Sequence, residues 1–123
     1  MSKSNNKVSI IISVLNGGAT LERCLQSITD QSYPNCELII IDGGSTDNTI
    51  DVITSFSSKI SFWVSERDKG IYDAWNKGIR KATGEWFCFI GSYDILLPDS
   101  IINLVKLANL SDENFVSSRV MMV

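Results

Sequence analysis

The stretch Glu37 to Asp47, ELIIIDGGSTD, decides the fold. Its apolar run, Glu37 to Ile41, is too continuous for a strand with one wet face. It reads as a strand covered on both sides, as in a parallel sheet. The run breaks at an acid and two glycines. A helix is then predicted from Asp47 to Phe56, with Ser45 or Thr46 as its N-cap. A buried strand feeding a helix through a short loop is the repeating unit of an α/β sheet.

Outward from this unit the same alternation recurs. Val8 to Val14 (VSIIISV) is a second doubly covered strand, and Leu21, Cys24, Leu25 and Ile28 follow at helical spacing. Downstream, Ile60 to Val64 (ISFWV) is predicted as a strand. Ile71, Ala74, Trp75, Gly78, Ile79 and Ala82 then mark one face of a helix, with Asp73, Asn76, Lys77 and Arg80 opposite. Trp86 to Ile90 (WFCFI) is a fourth strand. Pro98 suits the first turn of a further helix, with Ile101, Leu104, Val105 and Ala108 as its apolar stripe. Phe115 to Val120 reads as a last or unfinished strand. Residues 1–6 read as a frayed, disordered start.

The 123 residues suffice for one domain with a core, and 44% hydrophobic with 20% charged residues is a globular balance. A net charge of −3 without a basic stripe speaks against nucleic acid. No apolar run has the length of a membrane span and no signal peptide is evident, so the default compartment is the cytoplasm. Cys24, Cys36 and Cys88 are widely spaced, which predicts buried, reduced thiols rather than a disulfide or zinc scaffold. Histidine is absent, which removes Ser-His and Cys-His nucleophiles. Acid, base or metal chemistry must use carboxylates.

In a parallel α/β sheet, ligands bind beyond the carboxyl ends of the strands. Asn16, Asp42, Glu66 with Asp68, and Asp94 each follow a predicted strand, so they are expected on one rim. Each also has a plainer reading. The loop DGGSTD is either a ligand-approaching loop or a capped strand-to-helix turn, and it is neither G-x-G-x-x-G nor a P-loop. The segment from Asp68 to Gly78, DKGIYDAWNKG, carries Lys69–Asp73 and Asp73–Lys77 spacings common on solvated helices. Asp94, in GSYD, is either a turn former or a lone carboxylate for Mg2+ or Mn2+, which take oxygen ligands and substrate phosphates.

Taken together, VSIIISVLNGGATLERCLQSI, ELIIIDGGSTDNT and SERDKGIYDAWNKGIRKATGEWFCFIGSYDILLPDS resemble the family 2 glycosyltransferases. The match is nearest to bacterial members that build capsule and lipopolysaccharide sugars. The resemblance implies a three-layer α/β/α, Rossmann-like GT-A domain, here its nucleotide-sugar-binding part over residues 7–123, without the acceptor half. It also implies nucleotide-contacting roles for Ser13, Asn16, Asp42, Asp73, Asn76 and Tyr93, with Asp42 on the base N–H. Asp94 matches the metal-ligating position. The chain departs from the family pattern at Leu15, where an aromatic is usual, at Gly43, where many members have a second Asp, and at Tyr93, where a first carboxylate is usual.

The implied reaction moves a sugar from a nucleotide diphosphate, with UDP-sugar preferred, to an acceptor hydroxyl with inversion, in surface polysaccharide synthesis. A Mn2+ or Mg2+ ion is expected, and a saccharide or lipid-linked acceptor, the latter admitting peripheral contact with the inner membrane. No residue is singled out as the catalytic base. A non-catalytic or vestigial nucleotide-sugar-binding module is the alternative. Exposed apolar surface where a second half would pack admits a homodimer.

Overall fold

The computed structural model describes residues 7–110. The readings of residues 1–6 and of Phe115 to Val120 lie outside the described residues. Strands β1 (Val8–Val14), β2 (Cys36–Asp42), β3 (Phe62–Ser65) and β4 (Trp86–Gly91) form one sheet in the order β3-β2-β1-β4. Every neighbouring pair is parallel. The helices are α1 (Gly18–Thr29), α2 (Thr49–Ser55), α3 (Ile71–Lys81) and α4 (Ser100–Leu110).

Alternating side chains sort the core into two halves. Val8, Ile10, Ile12 and Val14 of β1, with Leu38 and Ile40 of β2, meet α1 through Leu21, Cys24, Leu25 and Ile28. Ile53 of α2 and Ile101 and Val105 of α4 join the same face. On the other face Ile11, Ile39 and Ile41 pack against Ala74 of α3. The two central strands are therefore buried on both sides, which is why their sequences are nearly unbroken apolar runs. The result is the expected three-layer α/β/α arrangement with a parallel sheet.

The second layer is narrow. Helix α3 lies over β1 and β2, and β4 extends beyond it. Phe87 and Phe89, in register with Ser9 and Ile11, remain 42% and 45% exposed, while Cys88 and Ile90 on the opposite face are buried. Trp75 leans on Phe89, ring centroids 4.9 Å apart, so it is packing rather than a free stacking platform. The expected apolar face of α3 is only partly used. Ala74 and Gly78 are buried, whereas Ile71 and Ile79 are 52% and 37% exposed. Several element starts move, and Pro98 precedes α4, which begins at Ser100, rather than forming its first turn. Strand β3 begins at Phe62, because residues 57–59 form a 3-10 turn and Ser61 N–H makes the first bond to Leu38 O, 2.8 Å. Helix α2 begins at Thr49 rather than Asp47, and neither Ser45 nor Thr46 caps it.

The thiols are free, as expected, with Cys24 and Cys88 buried; burial pushes both up to about 12. Cys36 departs from the expectation in being only partly buried.

Gly78 sets how closely α3 approaches the sheet. A Cβ at this position would stand 2.4 Å from Ile11 Cγ2, a stiff β-branched methyl. Gly78→Ala gains up to about 1 kcal/mol of helix propensity. Overpacking costs about 1–3 kcal/mol. The second effect wins, so thermal denaturation of Gly78→Ala is expected to show a midpoint several degrees below wild type. An unchanged or raised midpoint would mean that α3 can lift away without cost.

The carboxyl ends of the strands meet on one edge. Val14 pairs with Asp42, Asp42 with Ser65, and Ser13 with Gly91. The segments that follow β1 to β4 therefore share that edge, as the parallel arrangement requires.

Candidate functional site

Two loops build the floor of this edge by bonding to each other. Asn16 takes a left-handed conformation, φ 52°, which Asn tolerates better than most residues. This turns its side chain toward the loop after β2. Its Oδ1 accepts hydrogen bonds from Thr46 N (2.8 Å) and Asp47 N (3.3 Å), and its own N–H donates to Ser45 Oγ (2.7 Å). Gly17 N–H donates to the buried Thr49 Oγ1, 3.0 Å. Asp47 serves two helix starts. One oxygen accepts from Thr49 N and its hydroxyl, the other from Gly18 N at the head of α1. The Thr49 hydroxyl foremost, with the Thr49 and Gly18 N–H groups, holds the Asp47 carboxyl below the usual range against burial. Sequence reading expected the cap two positions earlier, and Asp47 itself was its missed member. The D-x-T spacing was the available signal.

Asp42 is the centre of the loop after β2. It is wholly buried. Oδ2 accepts from Gly44 N (3.0 Å), Ser45 N (2.8 Å) and Ser65 Oγ (2.8 Å), and Oδ1 accepts from Ser45 Oγ. In this arrangement the carboxylate is closed to solvent. Four protein donors surround its two oxygens, so the carboxylate holds the loop after β2 and ties it to the end of β3.

Above this floor lies an open cavity of about 430 Å3. It runs from the β1–α1 loop (Ser13 to Gly17) to the start of α3 (Gly70, Ile71, Ala74) and to Gly91, Ser92 and Tyr93 after β4. Leu15 and Tyr93 stand at its mouth, 61% and 75% exposed. Of the expected residues, Ser13, Asn16 and Tyr93 line it. Asp73 and Asn76 do not line it. Asp73 Oδ2 accepts from Lys69 N (2.9 Å) and pairs with Lys77 (3.6 Å), a cap on the first turn of α3. The Lys69 N–H first, then the Lys77 charge, holds the Asp73 carboxyl low against its desolvation. Asn76 lies exposed on α3. Asp68, expected on this rim but given no specific contact, lines the cavity.

Asp94 sits directly behind the lining segment. Its Oδ2 accepts from Gly91 N, 2.9 Å, and its N–H donates to Gly91 O, 3.1 Å, closing a tight turn after β4. Among the described residues no hydrogen bond reaches Oδ1, and no cluster of three His, Cys, Asp or Glu side chains could hold a metal alone. The donor set therefore fits a divalent cation only as one carboxylate oxygen completed by ligand oxygens and water, which is how Mg2+ is often held beside phosphates.

Comparison with known proteins fits this geometry. The family model described as Glycosyl transferase family 2 matches residues 9–122. A PGL/p-HBAD biosynthesis glycosyltransferase of Mycobacterium tuberculosis is 43% identical over 91 residues, covering 72% of this chain and 36% of the relative. A dolichyl N-acetyl-alpha-D-glucosaminyl phosphate 3-beta-D-2,3-diacetamido-2,3-dideoxy-beta-D-glucuronosyltransferase of Methanococcus voltae is 38% identical over 108 residues, covering 82% of this chain and 33% of the relative. The chain thus spans about a third of the length of these curated relatives. Among solved structures, S. aureus TarS 1-349 in complex with UDP-GlcNAc has a TM-score of 0.77 at 21% identity, covering 85% of this chain and 31% of that one. The mannosyltransferase PcManGT of Pyrobaculum calidifontis, in complex with GDP-Man and Mn2+, has a TM-score of 0.76 at 27% identity, covering 81% and 31%.

Proposed function

Because the chain belongs to glycosyl transferase family 2, we propose that it binds the nucleotide-diphosphate sugar for a glycosyl transfer to an acceptor hydroxyl. The observation that carries this reading is the cavity at the carboxyl edge of the parallel sheet, the ordinary ligand position of such a fold. Ser13, Asn16 and Tyr93 are the lining residues assigned to the nucleotide. Asp42 acts by holding the loop after β2 and Asp73 by fixing the start of α3, while Asn76 stays assigned to the nucleotide side of that helix. A UDP-sugar is the preferred donor, in line with the UDP-GlcNAc and UDP complexes of the TarS structures, and a GDP-sugar is the competing one.

Asp94 is assigned as the protein ligand of Mn2+ or Mg2+, with Gly91 N–H holding one of its oxygens in place. When bound, the cation supplies positive charge against the leaving diphosphate. Tyr93 brings a neutral hydroxyl to the neighbouring position. The reaction is read as inverting, within surface glycan assembly, on a saccharide or lipid-linked acceptor. Among the described residues no helix is long and apolar enough to cross a membrane. The half-exposed Phe87 and Phe89 favour a homodimer through the open face of β4. A binding module without transfer activity is the second reading, favoured by Leu15 and Tyr93 at the cavity mouth.

The test is a thermal-shift series with UDP- and GDP-sugars, with and without manganese. A donor at a hundredfold excess over its Kd adds about 2.7 kcal/mol to native stability. That is a rise of several degrees, larger with manganese. Asp94→Asn is expected to remove the manganese increment and weaken donor affinity about tenfold by calorimetry. No shift with any donor would end the proposal, and an intact manganese increment in Asp94→Asn would remove Asp94 from the metal site.

A further inference from the structure

We infer that Asp68 is the carboxylate that accepts a hydrogen bond from the nucleoside end of the donor, the task the buried Asp42 cannot perform. This deepens the nucleotide-sugar reading and rests on it. Among the described residues Asp68 is the only charged side chain that lines the cavity. It is partly exposed, in contrast to Asp42. Its position is fixed from two sides. Oδ1 accepts from Gly70 N, 3.1 Å, at the entrance to α3. Oδ2 stands 3.0 Å from the point where a Cβ on Gly43 would be, so the carboxylate rests against the bare backbone of the loop after β2. The glycine at position 43 gives Asp68 this space. The neighbouring cation, Lys77, is engaged by Glu66 at 3.1 Å and Asp73 at 3.6 Å.

Charge decides which part of the donor Asp68 faces. A carboxylate repels a diphosphate and accepts from a base imide N–H or a ribose hydroxyl. The sheet order gives both ends of the donor a place. Asp68 and Gly43 follow β3 and β2 on one side of β1, and Gly91 to Asp94 follow β4 on the other. The ends of β2 and β4 are two strand spacings apart, about 10 Å. The nucleoside lies over the first side and the diphosphate points toward the second. Leu15 and Ile71, both exposed and both lining the cavity, offer apolar surface to the base between them.

The experiment is calorimetric titration of the whole chain with UDP and with GDP, without metal, in wild type, Asp68→Asn and Gly43→Ala. Asp68→Asn is expected to weaken the nucleotide that binds wild type by ten- to hundredfold, the range of one hydrogen bond to a charged group. Its melting temperature should stay within about 2 °C of wild type, as for a partly exposed substitution outside the core. Gly43→Ala crowds Oδ2 from the other side and should weaken the same nucleotide severalfold, with little further loss in the double variant. Two analogues locate the donor atom: a base-methylated nucleotide silences the imide N–H, and a 2′-deoxy nucleotide removes a ribose hydroxyl. One of them should lose affinity in wild type but not in Asp68→Asn. Asp68→Asn binding as tightly as wild type, or equal losses to both analogues in the two proteins, overturns the assignment while leaving the donor reading intact. Failure of wild type to bind either nucleotide overturns both.

Discussion

Asp42→Asn is expected to lower the thermal midpoint by about 10–20 °C, the largest loss from any near-isosteric change at the carboxyl edge. The replacement keeps the volume but puts an NH2 group among donors. Gly44 N, Ser45 N and Ser65 Oγ all point at Oδ2, and Ser45 Oγ points at Oδ1. Whichever way the amide turns, at least one backbone N–H faces another donor or loses its charged acceptor in a site closed to water. Each hydrogen bond to a buried charged group is worth about 1.5–3 kcal/mol, so losing two costs on the order of 3–5 kcal/mol. For a domain of this size each kcal/mol moves the midpoint by roughly 4 °C. Nucleotide affinity should fall as well, because the loop that carries Gly43 and meets Asn16 depends on the same bonds. The control is Asp68→Asn, which should leave the midpoint in place. Differential scanning calorimetry of the two variants separates them. A drop in Asp68→Asn with a stable Asp42→Asn would invert the roles assigned to these carboxylates.

The structural role of Asp42 is hidden from the sequence for a physical reason. The sequence places Asp42 at the end of a strand, and strand ends at this edge do face ligands. It does not reveal that two serines and two glycine-loop amides turn inward to the same carboxylate. Ser65 comes from the neighbouring strand, 23 residues away, and no local pattern announces the contact. Asp68 was obscured for the opposite reason. Its segment contains Lys–Asp spacings that a solvated helix also shows, and the resemblance pointed to Asp73 and Asn76 instead. The spacing D-x-G before α3 was the better signal, since it places a carboxylate turn at the mouth of the cavity. Lys69 does meet Asp73, but through its backbone N–H and not its ammonium group.

The sheet, by contrast, was legible because burial on both faces leaves a local trace. VSIIISV and ELIII admit no other comfortable environment, and their parallel pairing follows from the helices between them. Edge positions were less clear. WFCFI looks uniformly apolar, yet only Cys88 and Ile90 are buried, since α3 meets β4 only at its edge, through Trp75 on Phe89. The apolar stripe of α3 likewise overstated its contact: Gly78 lets the backbone reach Ile11, and Ile71 is left to line the cavity.

Glu37→Ala is expected to be the costliest change away from the candidate site, and its effect should depend on pH. Glu37 is 9% exposed and pins the turn between α3 and β4 to the sheet. Oε2 accepts from Ser9 Oγ and Thr83 N, each 2.6 Å, and Oε1 from Thr83 Oγ1 at 3.1 Å, with Lys7 Nζ at 3.5 Å. Ser9 Oγ in turn accepts from Gly84 N, 2.9 Å, so one carboxylate orders the Thr83-Gly84 turn that starts β4. Truncation strands the Thr83 N–H and the fully buried Ser9 hydroxyl, at about 1–3 kcal/mol each. A loss near 3 kcal/mol lowers the midpoint by roughly 12 °C. Burial alone would raise the pKa of Glu37, but the Ser9 and Thr83 bonds and the Lys7 charge outweigh it and hold the group below its ordinary value. The folded pKa is therefore lower than the unfolded one. The contribution is complete above the unfolded pKa and disappears as pH falls through the folded pKa. Urea denaturation from pH 7 down to pH 3 should show wild type and Glu37→Ala far apart at neutral pH and converging in acid. Parallel curves at every pH would mean that the carboxylate's charge contributes nothing and that only its shape holds the turn.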